Sequence, residues 1–239
     1  MANEVIEEVR NNRMQCLIVK LDFEKAYDSV RWDFFYYMLG RLGFRTKWIS
    51  WVKACLKSST ISILVNGSPT QEFNPTKGLR QGDPLAPFLF LLVAEGWSGL
   101  VRQANIKNML EGISVGRNDT KVNMLQFADD TLFFCKPSLN NVGVIKSILR
   151  FFELASGLWI NFHKSKLGGV GVGDDELKRS AFILNCGLMN VPFKYLGICV
   201  GGNPRRKPFW QPIVNKIKNK LHRWKGRFLS FVGRVCLLK

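Results

Sequence analysis

The 239 residues are 46% hydrophobic and 22% charged, a composition that supports a sizeable buried core and excludes a fibre or a disordered tail. Charge is the departure: 35 basic against 18 acidic side chains give +17. The excess is one-sided, because no acid follows Glu176 and the last 63 residues carry +14, which points to a polyanionic partner, nucleic acid first.

Taken in chain order, the N-terminus MANEVIEEVR is polar and acidic, unlike a secretory or transit leader. Gln15–Leu21 is a short apolar run that reads as a central strand. From Glu24 to Leu42 apolar residues recur at three and four, predicting one amphipathic helix, and a second helix is expected over Thr46–Lys57. Ile61–Val65 and the turn-like Asn66-Gly67-Ser68-Pro69 predict a hairpin. Pro84–Asn105 reads as a helix with proline in its first turn. Its apolar stretch to Val101 contains Glu95, so it belongs in a core and not in a membrane. Val122–Phe127 and Thr131–Cys135 read as strands about the turn Ala128-Asp129-Asp130, and Asn140–Ser156 as a helix closed by Gly157. Phe193–Val200 predicts a last strand, and Gly201-Gly202-Asn203-Pro204 a linker. Trp210, Ile213, Val214, Ile217, Leu221 and Trp224 then form an apolar helical stripe among lysines and arginines. The order is α+β with mostly antiparallel pairing. Six cysteines without a CxxC pair, and only two histidines, give neither a zinc site nor a disulfide framework. A reducing intracellular compartment, nucleus or cytoplasm, follows.

Chemistry is concentrated in three places. Asp129 and Asp130 are adjacent carboxylates beside apolar strands, an arrangement that resists burial unless a cation neutralises it. Their hard oxygens suit Mg²⁺. Asp22 stands just past the other strongly apolar strand, so neighbouring strands would let Asp22 and Asp129 share metal ions, as in-line phosphoryl chemistry requires. Between them, Gly78-Leu79-Arg80-Gln81-Gly82-Asp83-Pro84 sets two glycines and two polar side chains before a helix, which allows close backbone approach to a ligand.

In order and spacing, Lys20-Leu21-Asp22-Phe23-Glu24-Lys25-Ala26-Tyr27-Asp28, Gly78–Pro87 and Phe127-Ala128-Asp129-Asp130 resemble the successive palm motifs of reverse transcriptases. The chain is most similar to the non-LTR (LINE-type) retrotransposon enzymes of plant genomes. Ser156–Lys166 resembles the lysine-bearing motif that follows the active site, and Tyr195-Leu196-Gly197 the primer-grip turn.

The resemblance implies an α+β polymerase palm with an antiparallel sheet and flanking helices, partial fingers and the start of a helical thumb. Residues 1–202 would be palm with partial fingers, and 203–239 the basic helical segment that begins the thumb. It implies Asp22, Asp129 and Asp130 as ligands of two Mg²⁺ ions. Lys164 or Lys166 would assist the leaving pyrophosphate; spacing does not decide which. Phe23 would meet the incoming dNTP through its backbone, Tyr27 would exclude a ribose 2′-OH, and Arg80, Gln81 and Gly82 would support template and nucleotide. Tyr195, Leu196, Gly197, Lys216, Lys220, Arg223 and Arg227 would contact RNA template or DNA primer. Only 21 residues precede Asp22, so upstream fingers motifs are expected to be absent, and the chain alone to bind nucleic acid while extending primers poorly or not at all. The alternatives are an inactive nucleic-acid-binding remnant or, more distantly, an intron maturase.

Overall fold

The computed structural model describes residues 1–223, with side chains to residue 219. Helix α1 (Ala2–Asn11) leads into β1 (Cys16–Leu21), β2 (Phe23–Glu24), α2 (Ala26–Ser29), α3 (Trp32–Arg41) and α4 (Thr46–Lys57). The hairpin β3 (Leu64–Val65) and β4 (Ser68–Pro69) precedes α5 (Ala86–Ile106), β5 (Ile113–Val115) and β6 (Thr120–Val122). Then come β7 (Met124–Phe127), β8 (Asp130–Cys135), α6 (Leu139–Ser156), β9 (Trp159–Ile160) and β10 (Lys166–Val170). The described chain ends with α7 (Asp174–Leu184), β11 (Gly187–Leu188), β12 (Phe193–Tyr195), β13 (Ile198–Val200) and α8 (Lys207–Arg223).

The central sheet has the order β11-β10-β1-β8-β7. Every pairing in it is antiparallel except β10 with β11. Strand β1 lies in the middle with both faces covered, which is why its sequence is nearly unbroken apolar. Leu17, Val19 and Leu21, with Phe133 and Cys135 of β8, face a helical layer that includes Trp97 of α5 and Phe152 of α6. Cys16 and Ile18, with Leu132 and Phe134, face the other way, onto α1, Tyr195 and Val200. Two apolar layers on one sheet give the acids at its edge a rigid floor.

The mixed α+β architecture agrees with the sequence expectation; several elements do not. The single helix expected over Glu24–Leu42 is three pieces. Phe23–Glu24 pairs with β9, Lys25 turns left-handed at φ 47, and Val30 and Arg31 are extended between α2 and α3. Arg31 N–H donates to the Ser156 carbonyl at 2.8 Å, so tertiary hydrogen bonding overrides helical periodicity. Phe193–Val200 is not one strand but the hairpin β12–β13. Its two turn residues, Leu196 and Gly197, both have positive φ, as a tight two-residue hairpin turn demands. Helix α6 matches its expectation: the Ser138 hydroxyl accepts from the Asn141 N–H, and Gly157 ends it at φ 78. The apolar stripe of α8 is not buried as a whole. Phe209 is covered, while Trp210, Val214 and Ile217 are exposed; Leu221 belongs to the helix backbone, and Trp224 lies outside the described residues. Among the described residues no helix is long and apolar enough to cross a membrane.

Candidate active site

Two corners of the central sheet bring the acids together. The β1–β8 ladder ends at Leu21 opposite Thr131, so Asp22 leaves one strand where Asp130 enters its antiparallel neighbour. Positions 107 apart in sequence, Asp22 and Asp129 therefore reach the same end of a pair of neighbouring strands. Phe127 pairs with Asp130, leaving Ala128 and Asp129 as a two-residue turn. Ala128 has φ 51, a left-handed conformation that costs an L-residue about 1–2 kcal/mol, and Gln126 Nε2 donates to its carbonyl at 3.1 Å.

The carboxylates feel one another. Asp130 is held above the usual carboxylate range by burial first, then by the charge of Asp129, with Asp22 adding a smaller push and Lys20 opposing. Lys164 is the cation on the other corner: its Nζ lies 3.9 Å from Asp22 Oδ2. Lys166, by contrast, is an exposed residue of β10, cross-strand from Lys20. Of the two lysines left open by the sequence, Lys164 is the one beside an acid.

Asp22 is gripped by the turn that carries Lys164. Its N–H donates to Ser165 Oγ at 3.1 Å, and its carbonyl accepts from the Asn161 N–H at 2.8 Å. Phe23 next to it buries its ring edge-on to Trp97 and Phe152, which leaves its backbone at the site. Strand β9, its partner, is fixed by buried Glu153, whose Oε1 accepts from the Ile160 N–H at 2.8 Å. Ser165, Glu153 and Lys20 are site-supporting residues to which sequence reasoning assigned no role. Their signal lies in contacts across more than a hundred positions, or in a helix otherwise read as apolar.

Tyr27 follows on α2. Its ring stacks on Phe90 at 4.7 Å, and burial, then the Asp129 charge, pushes its hydroxyl above the ordinary range. It is both a core-packing ring and a wall: with Leu91, Glu95, Phe127 and Ala128 it lines a cavity of about 540 Å³. The glycine-rich loop is fastened behind it. Gly78 N–H donates to Val30 and Leu79 N–H to Tyr27, both at 2.7 Å. A Cβ at Gly78 would sit 2.7 Å from the Asp28 carbonyl oxygen, so only glycine fits that approach. Arg80 lines a separate cavity of about 480 Å³ with Asp28, Trp32 and Cys55; Arg80, Gln81 and Gly82 are exposed.

The third part is the hairpin β12–β13. Tyr195 hydroxyl donates to the Asp130 carbonyl at 3.1 Å, and Lys20 Nζ donates to the Lys194 carbonyl at 3.2 Å, so this hairpin is tied directly to the acidic edge. Burial and then the Asp130 charge push the Tyr195 phenol up to about 12. Lys216 of α8 reaches the Gly197 turn. Lys220 and Arg223 belong to the α8 backbone, and Arg227 lies outside the described residues.

Three mutually repelling carboxylates with an ammonium at their edge form a hard-oxygen donor set suited to a divalent cation. Among the described residues, however, no three acid, histidine or cysteine side chains are gathered closely enough to hold a metal. The donor chemistry fits; the expected close grip is not preassembled.

A family model described as reverse transcriptase (RNA-dependent DNA polymerase) matches residues 2–200. An uncharacterised mitochondrial protein of Arabidopsis thaliana is 40% identical over 102 residues, covering 43% of this chain and 71% of that protein. A Pol polyprotein from a type-1 retrotransposable element R2 of Popillia japonica is 26% identical over 235 residues, or 95% of this chain. This chain spans 28% of that polyprotein's length, and 15% of a similar Drosophila melanogaster polyprotein that is 26% identical. Among solved structures, apo telomerase from Candida tropicalis superposes with a TM-score of 0.58 at 13% identity, over 84% of this chain and 38% of that one. At that identity the likeness is one of fold.

Proposed function

The chain belongs to the reverse transcriptase (RNA-dependent DNA polymerase) family, and from that premise we propose that its acidic edge is the nucleotidyl-transfer centre of a LINE-type RNA-directed DNA polymerase. One observation carries the reading: Asp22 follows the end of β1 where Asp130 begins its antiparallel neighbour β8, and the Asp129 charge acts on both Asp130 and Tyr27. The substrates are an RNA template, a DNA primer and dNTPs. A primer 3′-oxygen attacks the α-phosphorus of the dNTP, one P–O bond forms, and the bond to pyrophosphate breaks.

The family is generally dependent on divalent metal. When bound to Asp22, Asp129 and Asp130, two Mg²⁺ ions would supply the charge that acidifies the primer 3′-OH and stabilises the leaving oxygens. The chain's own residues do the rest. Lys164, beside Asp22, is placed to give its proton to the departing pyrophosphate. Tyr27, stacked on Phe90 at the cavity wall, would exclude a ribose 2′-OH. Arg80, Gln81 and Gly82 face solvent at the loop that supports template and nucleotide. Tyr195 holds the β12–β13 turn against Asp130, so that Leu196, Gly197 and Lys216 present one edge to the primer; Lys220, Arg223 and Arg227 are the further basic residues proposed to contact phosphates.

The test is addition of one nucleotide to a DNA primer on an RNA template, with Mg²⁺ and the chain in excess. Slow, template-matched addition is expected, and Asp129→Asn should lower it about 100-fold or more, since charge stabilisation of this kind is worth several kcal/mol. Addition that ignores the template base, or survives Asp129→Asn, would overturn the reading.

A further inference from the structure

Strand pairing runs out one residue before the first carboxylate. Leu21 is the last residue of β1 in register with β8, and Lys20 the last in register with β10. Asp22 therefore has a backbone N–H and C=O with no ladder partner, at the point where its side chain must be aimed most accurately. An N–H left unmade costs up to about 1–3 kcal/mol where it is buried, and at part-buried Asp22 a protein partner takes it. The turn between β9 and β10 takes everything. Ser165 Oγ accepts the Asp22 N–H at 3.1 Å, Asn161 N–H donates to the Asp22 carbonyl at 2.8 Å, and Lys164 Nζ faces the Asp22 carboxylate at 3.9 Å. All three polar groups of one aspartate are met by one five-residue turn.

That turn is itself rigid. Ser165 N–H donates to the Asn161 carbonyl at 2.8 Å, and Lys164 N–H to Asn161 Oδ1 at 3.1 Å. Gly187 N–H of β11 donates to the Ser165 carbonyl at 3.2 Å. Ser165 is completely buried, so the hydroxyl is a fixed partner of the Asp22 N–H and not one exchanged with bulk water. The hydroxyl suits this position chemically, because it accepts from Asp22 without bringing a charge that would compete with the acids.

We propose that Ser165 is a positioning residue of the nucleotidyl-transfer centre: it fixes the Asp22 peptide and thereby sets the first carboxylate and Lys164 in a common frame. The inference rests on the reading of Asp22 as a metal-binding carboxylate. Its consequence is that Ser165 never touches substrate, yet its loss displaces the ligand, and misplacement of about 1 Å at a reacting centre can cost on the order of 100-fold.

The experiment uses the full chain and two independent readouts, neither of them turnover. Amide hydrogen exchange by NMR reports the Asp22 N–H directly, and Mn²⁺ titration by electron paramagnetic resonance reports the centre, with Asp22→Asn as the reference for site-specific binding. In Ser165→Ala the Asp22 amide should exchange at least about tenfold faster and the Mn²⁺ dissociation constant should rise about tenfold, the loss of one modest hydrogen bond, while Val19 in mid-strand stays protected. Ser165→Thr, which keeps the hydroxyl, should restore both. Ser165→Cys, which fills the site with a somewhat larger thiol that accepts poorly, should behave as alanine even if Ser165→Ala fails to fold. Asn141→Ala removes buried hydrogen bonds at the start of α6 and should lower stability without moving either readout. Asp22 exchange and Mn²⁺ affinity within twofold of the parent in both Ser165→Ala and Ser165→Cys would overturn the proposal. Mn²⁺ binding that is indifferent to Asp22→Asn would instead remove the reading of the centre, a failure told apart because the amide exchange is measured separately.

Discussion

The two corners that carry the acids are built by opposite means. At the Asp129 corner the turn itself is local: Phe127 and Asp130 pair across a two-residue turn, Gln126 supports the Ala128 carbonyl from two residues away, and the Tyr195 hydroxyl on the Asp130 carbonyl adds a distant tie. At the Asp22 corner almost nothing is local. The aspartate is held by Asn161, Lys164 and Ser165, |i−j| being 143 for the serine, and the flanking β2 meets β9 across a similar gap. A hairpin corner forms early and tolerates strain, whereas a corner assembled from distant segments exists only once the sheet and its helical layer have closed. The first can be bent by a single backbone change; the second depends on the integrity of the whole floor.

The largest effect short of removing an acid is expected beside the local corner. Tyr27→Val removes the ring that stacks on Phe90 and lines the cavity beside Phe127 and Ala128, so the ratio of ribonucleotide to deoxyribonucleotide addition should rise about tenfold or more, the scale on which pocket volume discriminates substrates. An unchanged ratio would return Tyr27 to a core role and leave the Asp129 corner without a nucleotide wall.

A second prediction concerns the floor common to both corners. Cys16 opens β1 and Cys135 closes β8, next to one another at the end of the strands remote from the acids. Burial pushes the Cys135 thiol up to about 12 and that of Cys16 higher still, with the neighbouring Cys135 adding to the latter. Both remain neutral in the fold while the unfolded chain ionises from about pH 9. Their folded pKa values are raised, so the stability they contribute is complete below about pH 9 and is lost as pH rises through the range toward 12. Melting temperature should therefore fall more steeply above pH 9 in the parent than in Cys135→Ala, whatever their difference at pH 7. Parallel slopes would show that the thiol plays no part in the alkaline loss.

The smallest effect is confined to the local corner. Ala128→Gly relieves a left-handed alanine, worth about 1–2 kcal/mol, against an entropic cost of about 0.5–1 kcal/mol for glycine. A gain of up to about 1 kcal/mol, seen as a rise of about 2–4 °C in thermal denaturation, is expected for a chain of this size. A fall would mean that the turn is not where this corner stores strain.

The same contrast explains what the sequence made legible. The Ala128-Asp129-Asp130 turn, the capped helix α6 and the two central strands announce themselves through residues that are neighbours in the chain. So do the acids as a set, through motif order. The Ser165 hydroxyl under Asp22 does not, because a serine after a lysine carries no mark of what lies beside it in space. The break of the Glu24–Leu42 periodicity is hidden for the same reason. The residues that stop the helix are Lys25, through a left-handed turn, and Arg31, through a hydrogen bond to Ser156, and neither is a helix breaker by type. Strands β9, β10 and β11 escape a sequence reading because segments of two to five residues are too short to show a period.

That two corners of such different construction form one chemical centre is tested most directly by a double-mutant cycle on single-nucleotide addition, with Asp22→Asn, Asp129→Asn and the pair together, at saturating Mg²⁺ and with the chain in excess over primer–template. Residues that act as a unit are non-additive. The double variant should therefore retain the same residual rate as either single variant, within about twofold. Losses that multiply would mean that the acids work independently and would contradict a single centre at the β1–β8 edge.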